Sequence, residues 1–166
     1  MILALDTYYY DRNAKTVCLT FGQWTDEKPA QVFSEVKDIP DDYEPGAFYK
    51  RELPCIVSLL RQVPLDNIEA IIIDGFVVLD DAGKPGLGAH LFEYLQQKIP
   101  VIGVAKSNFA PIHQLKRAVL RGDSQRPLYV TAIGTSVDDA VENIRMMHGK
   151  YRIPELLKLL DQQTRR

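Results

Sequence analysis

The chain has few of the residues that form disulfides or zinc sites. Its 166 residues include only two cysteines, Cys18 and Cys55, which form no CxxC pair and lie in apolar segments. The three histidines show no metal-ligand spacing. A disulfide framework and a zinc site are therefore not supported, and we expect buried, reduced thiols in a cytosolic protein.

Long hydrophobic runs and an excess of one charge are also missing. No apolar run approaches the length of a membrane span, and Met1 leads into a strand-like segment without the regions of a signal peptide. The formal net charge of −2 at pH 7 is not the basic signature that many nucleic-acid-binding proteins have. We expect one cytoplasmic domain over residues 1–166, monomeric by default.

Hydrophobic periodicity changes character along the chain. The first third predicts three strands, at residues 1–10, 14–22 and 29–36, followed by a loop and a helix over residues 47–63. The remainder predicts buried strands at residues 69–74 and 100–105 around a helix at residues 87–98, two strands within residues 117–133, and helices from Ser136 and Pro154. An antiparallel meander that leads into parallel β-α-β units is a mixed sheet flanked by helices. The ribonuclease H-like α/β fold is the obvious candidate.

Two aspartates stand on predicted core strands. Asp6 interrupts the first strand, where a buried carboxylate needs hydrogen bonds or a cation; a local turn that closes the strand at Thr7 is an equal alternative. Asp74 ends the run Ile71–Ile73, and Gly75 behind it allows a ligand to approach closely. Since the carboxyl ends of parallel strands face the ligand crevice, the position of Asp74 favours a functional role.

Two further residues extend this set. Glu52 lies early in the predicted helix, and together with Asp6 and Asp74 it makes three carboxylates without a converging imidazole, which suits Mg²⁺ or Mn²⁺. Lys106 follows a buried strand, where it either stabilises negative charge on a phosphate or is a surface lysine. The combination indicates phosphodiester chemistry.

Basic residues cluster once, at Lys116, Arg117, Arg121 and Arg126. This stripe is either a local phosphate-binding surface or a solvated face.

At several positions the chain resembles the endonuclease V (deoxyinosine 3′ endonuclease) family. The resemblance runs from Asp6 to the segment at residues 151–155, almost end to end. Tyr43-x-Pro45-Gly46 followed by Arg51-Glu52 is similar to the family's wedge loop and helix glutamate. Further matching segments are Ile73-Asp74-Gly75, residues 86–90, residues 102–107, residues 118–121 and residues 127–130.

The resemblance implies a ribonuclease H-like fold and hydrolysis, with Mg²⁺ or Mn²⁺, of a phosphodiester near inosine in DNA or RNA. It implies that Asp6, Glu52 and Asp74 are metal ligands and that Lys106 is a catalytic-site lysine. The implied substrate-binding residues are Tyr43 and Pro45 in the wedge, and Gly46 and Gly75 in a pocket for a flipped hypoxanthine base. A role in repair follows as an expectation.

The chain also departs from the family pattern. Phe76-Val77 replaces a His-Gly pair after Asp74-Gly75, and Gly134-Thr135 stands where the family has Gly-His, a histidine that usually helps complete the metal site. Asp138 or Asp139 could substitute for it, although capping of a helix is another role for Asp139. The alternatives are a nuclease with shifted specificity, because Phe76 alters the pocket, and a nucleic-acid-binding relative without catalysis.

Overall fold

The structure is a computed structural model that describes residues 1–39 and 48–166. Its seven strands form one mixed sheet. They are β1 (Ile2–Tyr10), β2 (Asn13–Phe21), β3 (Gln31–Asp38), β4 (Ala70–Asp74), β5 (Val101–Ala105), β6 (Arg117–Val119) and β7 (Leu128–Ile133).

The sheet has the strand order β3-β2-β1-β4-β5-β7-β6. The first three strands form an antiparallel meander, and β4 and β5 continue parallel to β1. The last two strands are antiparallel to their neighbours. The predicted mixed sheet is confirmed, and its parallel centre places the carboxyl ends of β1, β4 and β5 side by side.

In the described part of the chain, four helices cover the two faces of the sheet: α1 (Phe48–Leu60), α2 (Leu87–Tyr94), α3 (Val137–Met146) and α4 (Glu155–Thr164). Alternating residues of β1 enter opposite cores, as the period of a strand requires. Leu3 and Leu5 pack with residues of α1 and α2, whereas Ile2 and Ala4 pack with residues of α3 and α4. Because the two cores share the central strands, helices of both layers can reach the same sheet edge.

Several element ends differ from the sequence prediction. The strand that contains Asp6 continues to Tyr10, so the alternative that it closes at Thr7 is wrong. Helix α2 ends at Tyr94 rather than near Lys98, because Gln96 and Gln97 take positive φ angles of 58° and 59°.

The two C-terminal helices begin where predicted. The Ser136 side chain accepts a hydrogen bond of 3.0 Å from the Asp139 backbone N–H and so caps α3. Pro154 directly precedes α4. Among the described residues, no helix combines the length and the apolar character needed to cross a membrane.

Candidate active site

Asp6 and Asp74 lie side by side on neighbouring parallel strands. Leu5 is in register with Ile73, so the next residue on each strand is one of the two aspartates. Each aspartate comes two residues after Ala4 or Ile72 and so lies on the same face of the sheet. Ala4 and Ile72 belong to the core under α3 and α4. The Asp6 Oδ1 atom accepts a 2.8 Å hydrogen bond from the Thr7 backbone N–H. Parallel pairing thus brings together two carboxylates that are far apart in sequence.

Lys106 joins the two aspartates at this edge. On β5, Val104 is in register with Asp74, and Lys106 follows the strand directly. Asp6, Asp74 and Lys106 line one cavity between the sheet and α4. Burial raises the pKa of both aspartates, and the charge of the lysine offsets part of this rise. Its position over the crevice agrees with the sequence prediction.

A fourth acid, Asp161 of α4, lines the same cavity. It raises the pKa of both Asp6 and Asp74 through its charge, and it forms an ion pair of 3.3 Å with Arg165. Sequence analysis missed this residue. The available signal was its spacing, because Asp161 follows the buried Leu160 and lies four residues after Leu157, which also lines the cavity.

Glu52 belongs to the helical layer that covers the opposite face of the sheet from α4. It lies on α1 and is not among the residues that line the cavity. Burial raises the pKa of Glu52 to about 8, and the charges of Asp6 and Asp74 add to this effect. Arg51 acts in the opposite direction, and its guanidinium lies 3.6 Å from the centre of the Tyr9 ring. Glu52 is therefore coupled electrostatically to the two aspartates.

The acid cluster, which we define as Asp6, Glu52, Asp74 and Asp161, concentrates negative charge in a partly buried space. Burial raises the pKa of Asp6 to about 7, and the charge of Asp74 raises it further. Burial also raises the pKa of Asp74, although its side chain keeps an exposed surface at the strand end, where water screens the effect. Such a cluster favours either protons or a cation.

The donor set of the acid cluster fits a hard divalent cation. All four groups offer carboxylate oxygens, the ligands that Mg²⁺ and Mn²⁺ prefer. Within residues 1–39 and 48–166, however, no three Asp, Glu, His or Cys side chains are drawn together closely enough to hold a metal ion. The cluster is thus a set of neighbouring oxygen donors rather than a closed ligand shell.

The substitutes considered for the missing histidine lie elsewhere. Asp138 pairs with Arg117 at 3.2 Å on the surface of α3, and Asp139 takes part in the cap of that helix. Neither lines the cavity of the acid cluster. Asp161 instead supplies the additional acid.

The basic stripe of the sequence is not a continuous surface. Arg121 is only 6% exposed, and its guanidinium donates hydrogen bonds to the backbone carbonyls of Tyr151 and Met147, both at 2.6 Å. Lys116 donates to Asn108 Oδ1 at 2.5 Å. Arg121 has a structural role, so neither alternative for the stripe, a phosphate-binding surface or a solvated face, holds for this residue.

The proposed base pocket is described only in part. Tyr43, Pro45 and Gly46 lie outside the described residues. Gly75 has a φ of 109° and donates its N–H to the Val104 carbonyl at 3.0 Å, so the chain turns sharply after Asp74. Phe76 follows and packs against Phe109 with 5.7 Å between ring centres. An aromatic pair therefore stands beside the end of β4.

The family model for endonuclease V matches residues 1–119 of the chain. This chain belongs to the endonuclease V family. The matched region contains Asp6, Glu52, Asp74 and Lys106, whereas Asp161 lies beyond it.

Solved endonuclease V structures share the fold over nearly the whole chain. The enzyme of Ciona intestinalis, in complex with a 24mer DNA containing an inosine followed by a ribo-adenosine, has 18% sequence identity and a TM-score of 0.81, with 99% of this chain and 84% of that chain covered. The Bacillus subtilis structure gives 16% identity and a TM-score of 0.81, with 99% and 78% covered. Human ENDOV has 22% sequence identity and a TM-score of 0.75, with 99% of this chain and 82% of that chain covered. The predicted ribonuclease H-like fold is confirmed.

No curated protein sequence matches the chain.

Proposed function

We propose that this protein is a metal-dependent endonuclease that hydrolyses a phosphodiester near inosine, or another deaminated base, in DNA or RNA. The main support is one cavity lined by three acids and a lysine from separate elements: Asp6, Asp74, Asp161 and Lys106. Glu52 is coupled electrostatically to Asp6 and Asp74. Membership of the endonuclease V family supports the same chemistry. Repair of deaminated nucleic acid by a single cytoplasmic domain over residues 1–166 is part of the proposal.

The acid cluster would hold Mg²⁺ or Mn²⁺ through Asp6, Glu52 and Asp74, with Asp161 beside them. When bound, such a cation activates water and stabilises the charge that develops on the phosphate. The raised pKa values of Asp6 and Glu52 mean that these carboxyls bind protons in a pH range where a free carboxyl is ionised, so a cation that binds them displaces protons. The protein contributes fixed positions for these groups on strand ends and helices.

Lys106 would bind the phosphate. Lys106 directly follows β5, is exposed and lines the cavity, and its charge already counters those of Asp6 and Asp74. A fixed positive charge at this point stabilises a phosphate more as its negative charge grows.

Base selection would take place beside Gly75. Its positive φ turns the chain so that the backbone is open to a ligand. Gly46 would complete the pocket, and Tyr43 and Pro45 would be the wedge that enters the strand. In two structures of the Ciona intestinalis relative the ligand is DNA containing an inosine. A weakly paired base costs least to extrude, which favours deaminated bases.

The test is a cleavage assay on an inosine-containing oligonucleotide and on its unmodified twin, with Mg²⁺ and with Mn²⁺. We expect cation-dependent cleavage near inosine, little cleavage of the twin, and a loss of about 100-fold or more in the Asp74→Asn variant. Cleavage that survives both Asp74→Asn and removal of the cation would contradict the proposal.

One observation favours a second candidate, a nucleic-acid-binding relative without catalysis. Among the described residues, no three Asp, Glu, His or Cys side chains lie close enough together to hold a metal ion. Binding of inosine-containing DNA without cleavage under either cation would assign the protein to this class.

A further inference from the structure

A groove leads away from the acid cluster along α4. Three cavities meet end to end there. The first is lined by Asp6, Asp74 and Asp161 of the acid cluster and shares Lys106, Ile153 and Asp161 with the second. The second shares Tyr151 and Arg152 with the third, which reaches the turn at Gly122. We call this continuous surface the α4 groove.

We propose that the α4 groove binds a single strand of nucleic acid that runs to the acid cluster, and that the Tyr151 ring stacks on one of its bases. The inference rests on the proposed function and extends it, because it assigns a binding surface outside the reacting centre. It assigns a role to Tyr151 that the acid cluster does not require.

Tyr151 combines an exposed ring with a fixed backbone. Its side chain is 65% exposed, the largest fraction among the large hydrophobic residues of the described part of the chain. Its carbonyl accepts a 2.6 Å hydrogen bond from the buried Arg121. Beside it, the Lys150 carbonyl packs so closely on Gly122 that no side chain would fit there. An aromatic ring held in this way stacks on a base at a small cost in conformational entropy.

Arg152 fixes the wall of the α4 groove. Its guanidinium donates hydrogen bonds to the carbonyls of Arg126 and Pro127, both at 2.9 Å, and to the carbonyl of Lys106 at 2.5 Å. The residue that binds the phosphate in the proposed function is thereby tied to the segment that carries Tyr151. The relative position of the two ends of the groove is therefore fixed.

The α4 groove offers lysines to a phosphate backbone, among acids that include Asp123, Glu155 and Asp161. Lys106, Lys158 and Lys150 follow one another from the acid cluster toward the far end. The Lys150 ammonium lies 5.4 Å from the centre of the Tyr151 ring, so a cation and an aromatic ring stand together at that end. Lysines beside an exposed aromatic residue are the groups that bind the backbone and a base of a single strand.

The test measures binding of a fluorescein-labelled single-stranded DNA with one inosine, by anisotropy in Ca²⁺. We expect Tyr151→Ala to weaken binding by roughly 5- to 100-fold, and Tyr151→Phe to bind like the unchanged protein. The matched control is Tyr94→Ala, since Tyr94 is 49% exposed on α2, away from the groove. Equal binding by Tyr151→Ala and Tyr94→Ala would overturn the inference.

A second readout reports stacking itself. 2-Aminopurine placed at successive positions on either side of the inosine should be quenched at one position by the unchanged protein and not by Tyr151→Ala. Absence of any quenched position that depends on Tyr151 would overturn the inference while leaving the proposed function intact. Failure of the proposed function would instead appear as absence of cation-dependent cleavage by the unchanged protein.

Discussion

At the scale of single residues, the role of a charged side chain depends on the residues that the fold places beside it. Asp6 and Asp74 could be predicted as neighbours, because each stands on a strand and parallel strands align their ends. Asp161 carried only a weak signal, its spacing from Leu157 and Leu160, because an aspartate in an amphipathic helix most often faces water. Arg121 belongs to a basic stripe in the sequence, but in the structure it is buried. Its guanidinium donates hydrogen bonds to carbonyls of distant segments, which the sequence does not show.

Asp161→Asn should lower cation-dependent cleavage by about 10-fold or more, because the variant removes one charge from the acid cluster. The matched control is Asp138→Asn, since both aspartates lie on helices and pair with an arginine, at 3.3 Å and 3.2 Å. The assay is the initial cleavage rate at saturating Mn²⁺. Equal rates for the two variants would show that Asp161 is a surface residue without a role in the reaction.

At the scale of elements, the order of strands and helices follows from hydrophobic periodicity, whereas the loops that shape the site do not. The predicted strands and helices all occur, with ends displaced by a few residues, because periodicity fixes the core face but not the last turn. The turn after β4 depends on a contact that sequence cannot show. A Cβ atom at Gly103 of β5 would lie 2.5 Å from the Gly75 carbonyl oxygen and 2.7 Å from Thr131 Oγ1.

Gly103→Ala should therefore lower the free energy of unfolding by about 1–3 kcal/mol, because the added methyl displaces the Gly75 turn. The Thr131 hydroxyl also accepts the Val77 N–H at 2.9 Å, so this hydrogen bond should weaken as well. Urea unfolding measures the change.

Gly22→Ala is the control for this substitution. A Cβ atom at Gly22 would meet only Asp26 Oδ2, at 3.5 Å, which is an ordinary contact, and we expect a change within about 0.5 kcal/mol. If both variants were equally stable, the close approach of Gly75 to β5 would not constrain the fold.

At the scale of the whole molecule, the protein concentrates charge locally while its net charge stays near zero. The formal net charge is −2, yet three acids line one cavity at the edge of the sheet, Glu52 is coupled electrostatically to two of them, and lysines line the groove beside them. Composition alone could not reveal this separation, because residues of like charge come together only when the sheet forms. The proposed wedge at Tyr43, Pro45 and Gly46 lies outside the described residues and stays a prediction.

The acid cluster makes the stability of the metal-free protein depend on pH. The pKa of Asp6 is raised to about 7 and that of Glu52 to about 8, so the folded state binds more protons than the unfolded state from about pH 4 to about pH 8. The free energy of unfolding should therefore fall as the pH rises through this window. The fall should be of the order of a few kcal/mol, or roughly 5–10 °C in Tm.

Thermal unfolding in EDTA from pH 4 to pH 8 measures this effect. The Asp6→Asn/Glu52→Gln double variant should show a flatter profile than the unchanged protein. Addition of Mn²⁺ at pH 8 should raise the Tm of the unchanged protein and not that of the double variant. Identical pH profiles for the two proteins would mean that folding does not raise the pKa values of these carboxyls.

The most direct test of the central claim, that the acid cluster is a cation site, is calorimetric titration with Mn²⁺ at pH 6.5 and at pH 8 in buffers of different ionisation enthalpy. We predict tighter binding at pH 8, release of protons that is larger at pH 6.5, and an affinity lowered by about 10-fold or more in Glu52→Gln. Glu93→Gln, an exposed glutamate on α2 whose side chain bonds Gln97 at 2.7 Å, should bind like the unchanged protein. Mn²⁺ binding without proton release, and with equal affinity in Glu52→Gln and Glu93→Gln, would contradict the account.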